Sequence, residues 1–144
     1  MSDSSDDTHR ELVKAAIAAL DRSHPANPPD RKFGAALITK AGNVYVSSAY
    51  WSETLALALH AEQAALAHAA AHGEREVVAL ATVSTEDEDG TQLCHPCGIC
   101  KQLMYESWSD SGIDIEVVMA ARNGDYLVKP ISEMTPYPWP APRG

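Results

Sequence analysis

The sequence predicts an α/β fold in which helices cover both faces of a mixed sheet of about five strands. Segments with helical spacing of apolar residues alternate with short apolar runs of strand length, and no internal repeat or linker interrupts them. The predicted order is α-β-β-α-β-α-β-(β)-α. Because helices that connect successive strands usually pack on a partly parallel sheet, we expect a three-layer sandwich.

The N-terminal part predicts one helix between two irregular segments. Residues 1–7 are acidic and polar and predict a disordered tail, and residues 8–144 predict a single domain. A helix is expected from about Thr8 to Asp21, with its apolar side chains on one face. The prolines of SHPANPPD (23–30) predict a loop.

The remaining segments alternate between strand and helix. Strands are expected where apolar and β-branched residues cluster: KFGAALIT, VYVSSA, EVVALATVS, IDIEVVMA and DYLVKP. Helices are expected in LALALHAEQAALAHAAAHG, in residues 96–108 and in ISEM. The proline-rich end TPYPWPAPRG predicts no regular element.

Composition and charge narrow the class of partner. The chain of 144 residues has a net charge of −9 and no basic cluster, which argues against binding to nucleic acid or to an anionic membrane and leaves a small-molecule substrate. No apolar run approaches the roughly 18 residues of a membrane span. The acidic N-terminus is the reverse of a signal peptide, and the three closely spaced cysteines do not suit a secreted disulfide framework. We therefore predict a cytoplasmic protein.

The stretch LCHPCGIC (93–100) holds all three cysteines of the chain. Cys97 and Cys100 are three residues apart at a predicted helix start, a rotation of about 300°, so both point the same way. Pro96 suits the first helical position because it has no N–H to leave unpaired. The partial positive charge of a helix N-terminus favours thiolates. The spacing therefore predicts a pair of metal-binding thiolates.

A second unit, HAEQ (60–63), begins another predicted helix. His60 and Glu62 are separated by about 200° of rotation, so both reach one point only if that point lies beyond the helix end. One imidazole and two thiolates give zinc three protein ligands and leave its fourth position open to water. Glu62 is then the nearby carboxylate that moves protons and does not bind the metal. This combination indicates hydrolytic chemistry.

These motifs resemble those of the cytidine deaminase family. The resemblance rests on HAE at 60–62, PCGIC at 96–100 and GAALIT at 34–39, and it extends over roughly residues 8–139. It implies one Zn²⁺ per chain and a proton-transferring Glu62. It further implies contacts of backbone groups near Ala61 and Pro96 with the substrate ring, and a homotetramer or homodimer. The C-terminal YPW (137–139) is similar to the tail of blasticidin S deaminase-like members.

The family's sugar-binding Asn-x-Glu pair is absent. Its window reads SSAYWSET (47–54), where Ser47, Trp51 and Glu53 are the candidate substrate-binding residues. A missing hydrogen-bonding pair can change discrimination by ~10⁴-fold or more. The resemblance implies deamination of cytidine or deoxycytidine to the uracil nucleoside with release of ammonia. The alternative is the same reaction on another aminated heterocycle, such as a modified or antibiotic cytosine nucleoside or a purine.

Other interpretations of the cysteine cluster remain open. It could be a structural zinc site with His60 or His95 as the fourth ligand, an iron–sulfur site, or part of a non-catalytic metal-binding module. Cys94 lies before the motif and is expected to be a small buried residue. His68 and His72 are expected to be structural, and the acidic TEDEDG (85–90) is expected to be a solvated turn.

Overall fold

The computed structural model describes residues 3–23 and 32–142. Four helices and five strands occupy these ranges: α1 (Asp3–Ala19), β1 (Phe33–Thr39), β2 (Val44–Ser48), α2 (Ala61–Ala71), β3 (Val77–Ser84), α3 (Gly98–Ser111), β4 (Glu116–Ala120), β5 (Tyr126–Pro130) and α4 (Ile131–Met134). Single 3-10 turns follow α1 and precede α2. The predicted order of elements is confirmed.

The strands form one mixed sheet in the order β2-β1-β3-β4-β5. Only β3 and β4 are parallel, and the helix that connects them is α3. The other three pairs are antiparallel. In the β1–β3 pair, Phe33 at the start of β1 lies opposite Ser84 at the end of β3. This end of the sheet therefore brings the segments before β1 and after β3 together.

Helices pack on both faces of the sheet, as predicted. Helix α1 covers one face, where its buried Leu12, Val13 and Ala16 contact inward-facing residues of β1, β3 and β4. Helices α2, α3 and α4 cover the opposite face, where Met104 and Tyr105 are fully buried. The alternation of side chains along each strand supplies apolar residues to both layers.

Small residues let two helices lie close to the sheet. Ala65 and Ala69 of α2 are fully buried one helical turn apart, so the helix presents a short-chained face to the strands. On the other side, a Cβ added to Gly34 would lie 2.2 Å from the carbonyl oxygen of Ala16. Glycine at 34 therefore permits the approach of α1 to β1.

The N-terminal prediction needs a correction. Helix α1 begins at Asp3, so residues 3–7 are helical where a disordered tail was predicted. Two features favour this extension: Arg10 pairs with Asp6 at 2.9 Å one turn away, and acidic residues suit a helix N-terminus. Apart from Ser23, the predicted loop at 23–30 lies outside the described residues. No described helix combines the length and the apolar character that a membrane crossing requires.

Candidate metal centre and active site

The first turns of α2 and α3 meet beside the sheet. His60 is the N-cap of α2 and Cys97 is the N-cap of α3. The backbone N–H of His60 donates a 2.7 Å hydrogen bond to the Gln63 side chain, which fixes the start of α2. Pro96 was predicted at the first helical position, but it precedes the N-cap, and α3 begins at Gly98. The expected convergence of the two helix starts is nevertheless present.

Three donor atoms converge at this point. His60 Nδ1 lies 3.2 Å from Cys97 Sγ and 3.4 Å from Cys100 Sγ, and the three atoms lie within 4.8 Å of one another. Donors of a tetrahedral zinc ion are about 3.5–3.8 Å apart, given zinc–ligand bonds of about 2.0–2.3 Å. The donor set and its spacing therefore fit one zinc ion.

Three protein donors leave the fourth position of a tetrahedral zinc ion free for another ligand. Within the described ranges no fourth histidine, cysteine or carboxylate joins the three donors, and Cys94 and His95 lie outside the group. A structural zinc site normally has four protein ligands, whereas a catalytic site has three. The geometry thus favours the catalytic type over the structural type.

The surroundings of Cys100 disfavour its thiolate in the absence of a metal ion. Burial raises the pKa of this thiol most strongly, and the negative charges of Glu62 and Cys97 raise it further. This outweighs the helix N-terminus, which was expected to favour the thiolate. A divalent ion bound by the three donors would reverse this preference, because a coordinating thiol loses its proton.

Glu62 lies in the first turn of α2, immediately behind the donors. Its side chain is buried, and Thr82 and Cys100 provide its side-chain hydrogen bonds. Burial raises the pKa of this carboxyl, and hydrogen bonds and the nearby His60 oppose that shift only in part. A buried carboxyl with a raised pKa takes up a proton more readily than an exposed one, which suits a general acid–base group that must both accept and return a proton.

A cavity of about 300 Å³ opens onto these groups. Its walls combine aromatic and aliphatic side chains with two of the three donors and two carboxylates: Phe33, Ala49, Tyr50, Trp51, Ala58, Leu59, His60, Glu62, Glu86, Cys94, His95 and Cys97. A largely apolar cavity with a few convergent polar groups is typical of a small-molecule site.

The predicted substrate-binding residues separate into three groups. Trp51 lines the cavity. Ser47 lines a shallow surface depression next to it, and Glu53 is exposed outside it. Ala61 and Pro96 are buried beside the metal-binding residues. A substrate role for these five residues stays a prediction.

Two cavity residues were not anticipated from the sequence. Glu86 belongs to the acidic run that was expected to be only a solvated turn, yet it lines the cavity. Phe33 lines it because β1 begins next to the end of β3, where that run starts. The pairing of the two strands brings both residues to the site, and no local pattern in the sequence signals it.

Cys94 is buried, as predicted, and lies on the cavity wall. Burial raises the pKa of its thiol to about 11, and its Sγ lies 3.7 Å from the Thr82 hydroxyl. The structural assignments of two histidines are confirmed: His68 Nδ1 lies 3.3 Å from the Val46 carbonyl, and His72 is the C-cap of α2. Trp139 of the aromatic tail is exposed and does not line the cavity.

Sequence comparison finds known deaminases among the proteins similar to this chain. The model of the cytidine and deoxycytidylate deaminase zinc-binding region matches residues 6–113, which include His60, Glu62, Cys97 and Cys100. The cytidine deaminase of Halalkalibacterium halodurans is 33% identical over 127 residues, which cover 87% of this chain and 89% of that protein. That of Shewanella sediminis is 30% identical over 116 residues, or 78% of this chain and 34% of the longer relative.

Solved structures agree with the fold. The crystal structure of cytidine deaminase from Burkholderia pseudomallei superposes with a TM-score of 0.79 at 32% identity, covering 91% of this chain and 98% of that one. That of cytidine deaminase from Mycobacterium leprae gives 0.69 at 27% identity and covers 88% of this chain and 95% of that one.

Proposed function

The chain belongs to the cytidine and deoxycytidylate deaminase zinc-binding family, and from this premise we propose that it hydrolyses the exocyclic amino group of cytidine or deoxycytidine. The products are the uracil nucleoside and ammonia, and water is the second substrate. One observation carries the proposal: three metal donors and a buried carboxyl converge at the end of one aromatic-lined cavity. A non-catalytic metal-binding module has no need of such a carboxyl.

His60, Cys97 and Cys100 would hold one zinc ion. When bound, zinc supplies the Lewis-acid chemistry that makes water a nucleophile near neutral pH. Glu62 takes the proton of the attacking water on a carboxylate oxygen and delivers it to the ring nitrogen next to the amino-bearing carbon. The same carboxylate then takes the remaining proton of the added hydroxyl and passes it to the amino group, so that the carbon–nitrogen bond breaks, the new carbon–oxygen bond becomes a carbonyl and ammonia leaves. Thr82 orients Glu62 by a side-chain hydrogen bond.

The aromatic walls suit a planar base. Phe33, Tyr50 and Trp51 line the cavity beside the metal donors and provide flat apolar surface for a heterocycle. Ala61 and Pro96 adjoin His60 and Cys97 in sequence, so their backbone groups are the candidates for contacts with the ring. These contacts would turn the amino-bearing carbon toward the metal donors and Glu62.

A substrate panel tests this proposal. Purified protein with bound zinc is incubated with cytidine, deoxycytidine, modified cytosine nucleosides and aminated purines, and ammonia release is measured for each. We expect turnover of cytidine and deoxycytidine. Turnover of another heterocycle alone would retain the chemistry and replace the substrate, and inactivity toward the whole panel would contradict an enzymatic function.

The surface around the cavity favours self-association into a homotetramer or homodimer. Tyr50, Leu55, Leu57 and Ile99 are each more than half exposed near the site. Exposed apolar side chains that cluster commonly mark contacts between subunits. Sedimentation equilibrium of the purified protein would establish the number of subunits, and a monomer at micromolar concentration would contradict this assignment. A cytoplasmic location is also proposed, because the closely spaced cysteines do not suit a secreted disulfide framework.

A further inference from the structure

We propose that Glu86 is a specificity-determining residue that accepts hydrogen bonds from the substituent carried by the substrate base. This inference rests on the proposed deaminase function and extends it to the class of substrate. A carboxylate at this position would bind a substituent that has hydrogen-bond donors and no phosphate. Sugar hydroxyls in a nucleoside fit this description, and so does an ammonium group in an amino-sugar analogue.

The placement of Glu86 at the cavity is the first support. The cavity is lined by two carboxylates, Glu62 and Glu86. Glu62 is buried against Thr82 and Cys100 beside the metal donors, so the chemistry already occupies it. Glu86 lines the cavity, is exposed to solvent and does not belong to the metal-binding group. A carboxylate there takes no part in the proton transfers at the ring and is left for the substituent that the base carries.

Two anchors hold Glu86 in this position. On its N-terminal side, Thr85 is bound to Lys32 by two hydrogen bonds, Thr85 N–H to the Lys32 carbonyl at 3.0 Å and Lys32 N–H to Thr85 Oγ1 at 2.8 Å. On its C-terminal side, the Asp87 carbonyl accepts a hydrogen bond from Arg122. Because the backbone on both sides of Glu86 is already fixed, little backbone conformational entropy is lost when its side chain binds a substrate.

The anchor at Asp87 also fixes the rest of the acidic loop. Its carboxylate accepts backbone N–H bonds from Thr91 at 2.8 Å and Gln92 at 3.0 Å and lies 3.8 Å from the Arg122 guanidinium. The backbone hydrogen bond from Gln92 is the largest of the influences that lower the pKa of Asp87, so this carboxylate stays ionised. Asp87 therefore serves the loop, and Glu86 remains available to a ligand.

The charge of the cavity determines which substituents fit. Among its described lining residues there are two carboxylates and neither lysine nor arginine. A phosphate ester would bring further negative charge toward the Glu86 carboxylate, and none of the described lining residues is a lysine or arginine that would offset this repulsion. Hydroxyl or ammonium donors would instead complete the hydrogen bonding of Glu86. The described lining of the cavity therefore favours an unphosphorylated substrate.

The test compares Glu86→Ala and Glu86→Gln with Glu88→Gln, a matched change on the same loop at an exposed carboxylate that does not line the cavity. The probes are deoxycytidine, its 3′-amino-3′-deoxy analogue and deoxycytidine 5′-monophosphate as substrates, with 1-methylcytosine as an inhibitor that lacks donors on its substituent. Zinc content and thermal midpoint are measured for each variant.

We expect Glu86→Ala to raise KM for deoxycytidine about tenfold or more, with kcat nearly unchanged, because one hydrogen bond to a charged group is lost. The inhibition constant of 1-methylcytosine and all constants of Glu88→Gln should not change. Glu86→Gln should retain part of the binding of hydroxyls but lose that of the ammonium analogue. The wild-type protein should prefer deoxycytidine to the monophosphate by at least an order of magnitude.

Three results would overturn the inference: an unchanged KM in Glu86→Ala, an equal effect on 1-methylcytosine, or efficient turnover of the monophosphate by the wild-type protein. Failure of the wild-type protein to release ammonia from any probe would instead reject the proposed function. The two failures are thus distinguishable.

Discussion

Nδ1 of His60 lies 3.2 Å from Sγ of Cys97, although the two residues are 37 positions apart in the chain. Each residue is the N-cap of its helix, so the contact joins the first turns of α2 and α3. An N-cap residue has extended backbone geometry, which directs its side chain past the end of the helix. This geometry places an imidazole and a thiol on the same point beside the sheet.

Replacement of a donor should remove the metal. His60→Ala or Cys97→Ala leaves two of the three donors, and we expect zinc content to fall from about one ion per chain to a small fraction after dialysis against a weak chelator. Elemental analysis of the purified variants provides the measurement. Cys94→Ser is the matched control, because Cys94 lies outside the donor group and should retain full zinc occupancy. Equal zinc in all variants would reject the assigned ligands.

A Cβ at position 34 should destabilise the fold. Gly34→Ala places a methyl group 2.2 Å from the Ala16 carbonyl oxygen, so α1 must move away from β1. Overpacking of this kind costs about 1–3 kcal/mol in the free energy of unfolding. Urea unfolding measures the change. Gly98→Ala is the control, since a Cβ there meets no atom within 4 Å. Similar stability of the two variants would contradict the close packing of α1.

Glu74 should make stability dependent on acidic pH. Hydrogen bonds from Thr39 at 2.5 Å, from Tyr45, and from Asn43 at 2.8 Å attach Glu74 to the β1–β2 hairpin. The Thr39 bond is the largest cause that lowers the pKa of this carboxyl from its usual 4.5, and the Tyr45 bond is next. A lowered pKa in the folded state adds stability above the usual value, and this stability is lost as pH falls below 4.5 through the folded-state pKa.

Glu74→Gln should therefore remove part of the decrease in urea midpoint that the wild-type protein shows between neutral pH and acidic pH. Glu76→Gln is the control, because Glu76 forms only a surface ion pair with Lys40 at 3.6 Å among the contacts described for its side chain. If the Glu74 variant and the wild-type protein lose stability in parallel on acidification, the hydrogen bonds to Glu74 do not contribute as the structure indicates.

The metal centre could be predicted from the sequence because its geometry is local to two helix starts. His60 and Glu62 share one first turn, as do Cys97 and Cys100, and each motif by itself predicts a side chain beyond a helix end. Glu86 could not be predicted in this way. Its position depends on the bond of Thr85 to Lys32, which joins segments 53 residues apart and leaves no periodic pattern in either.

The start of helix α1 also could not be predicted from local sequence patterns. The acidic residues before Thr8 lack the apolar spacing that marks a helix, and the structure nevertheless begins α1 at Asp3. Asp6 pairs with Arg10 and accepts a hydrogen bond from Tyr126 of β5. The first of these contacts could have been recognised as an i,i+4 pair, whereas the second depends on the tertiary fold.

The central claim is that one zinc ion and Glu62 act together on an aminated base, and a matched pair of proteins tests it most directly. Zinc content and ammonia release from deoxycytidine are measured for the wild-type protein and for Glu62→Gln. We expect about one zinc ion per chain in both and a loss of about 10²–10⁴-fold in kcat in the variant, because the proton transfers lose their carboxylate while the metal ligands remain. Equal turnover by the two proteins, or a wild-type protein that binds no zinc, would contradict the account.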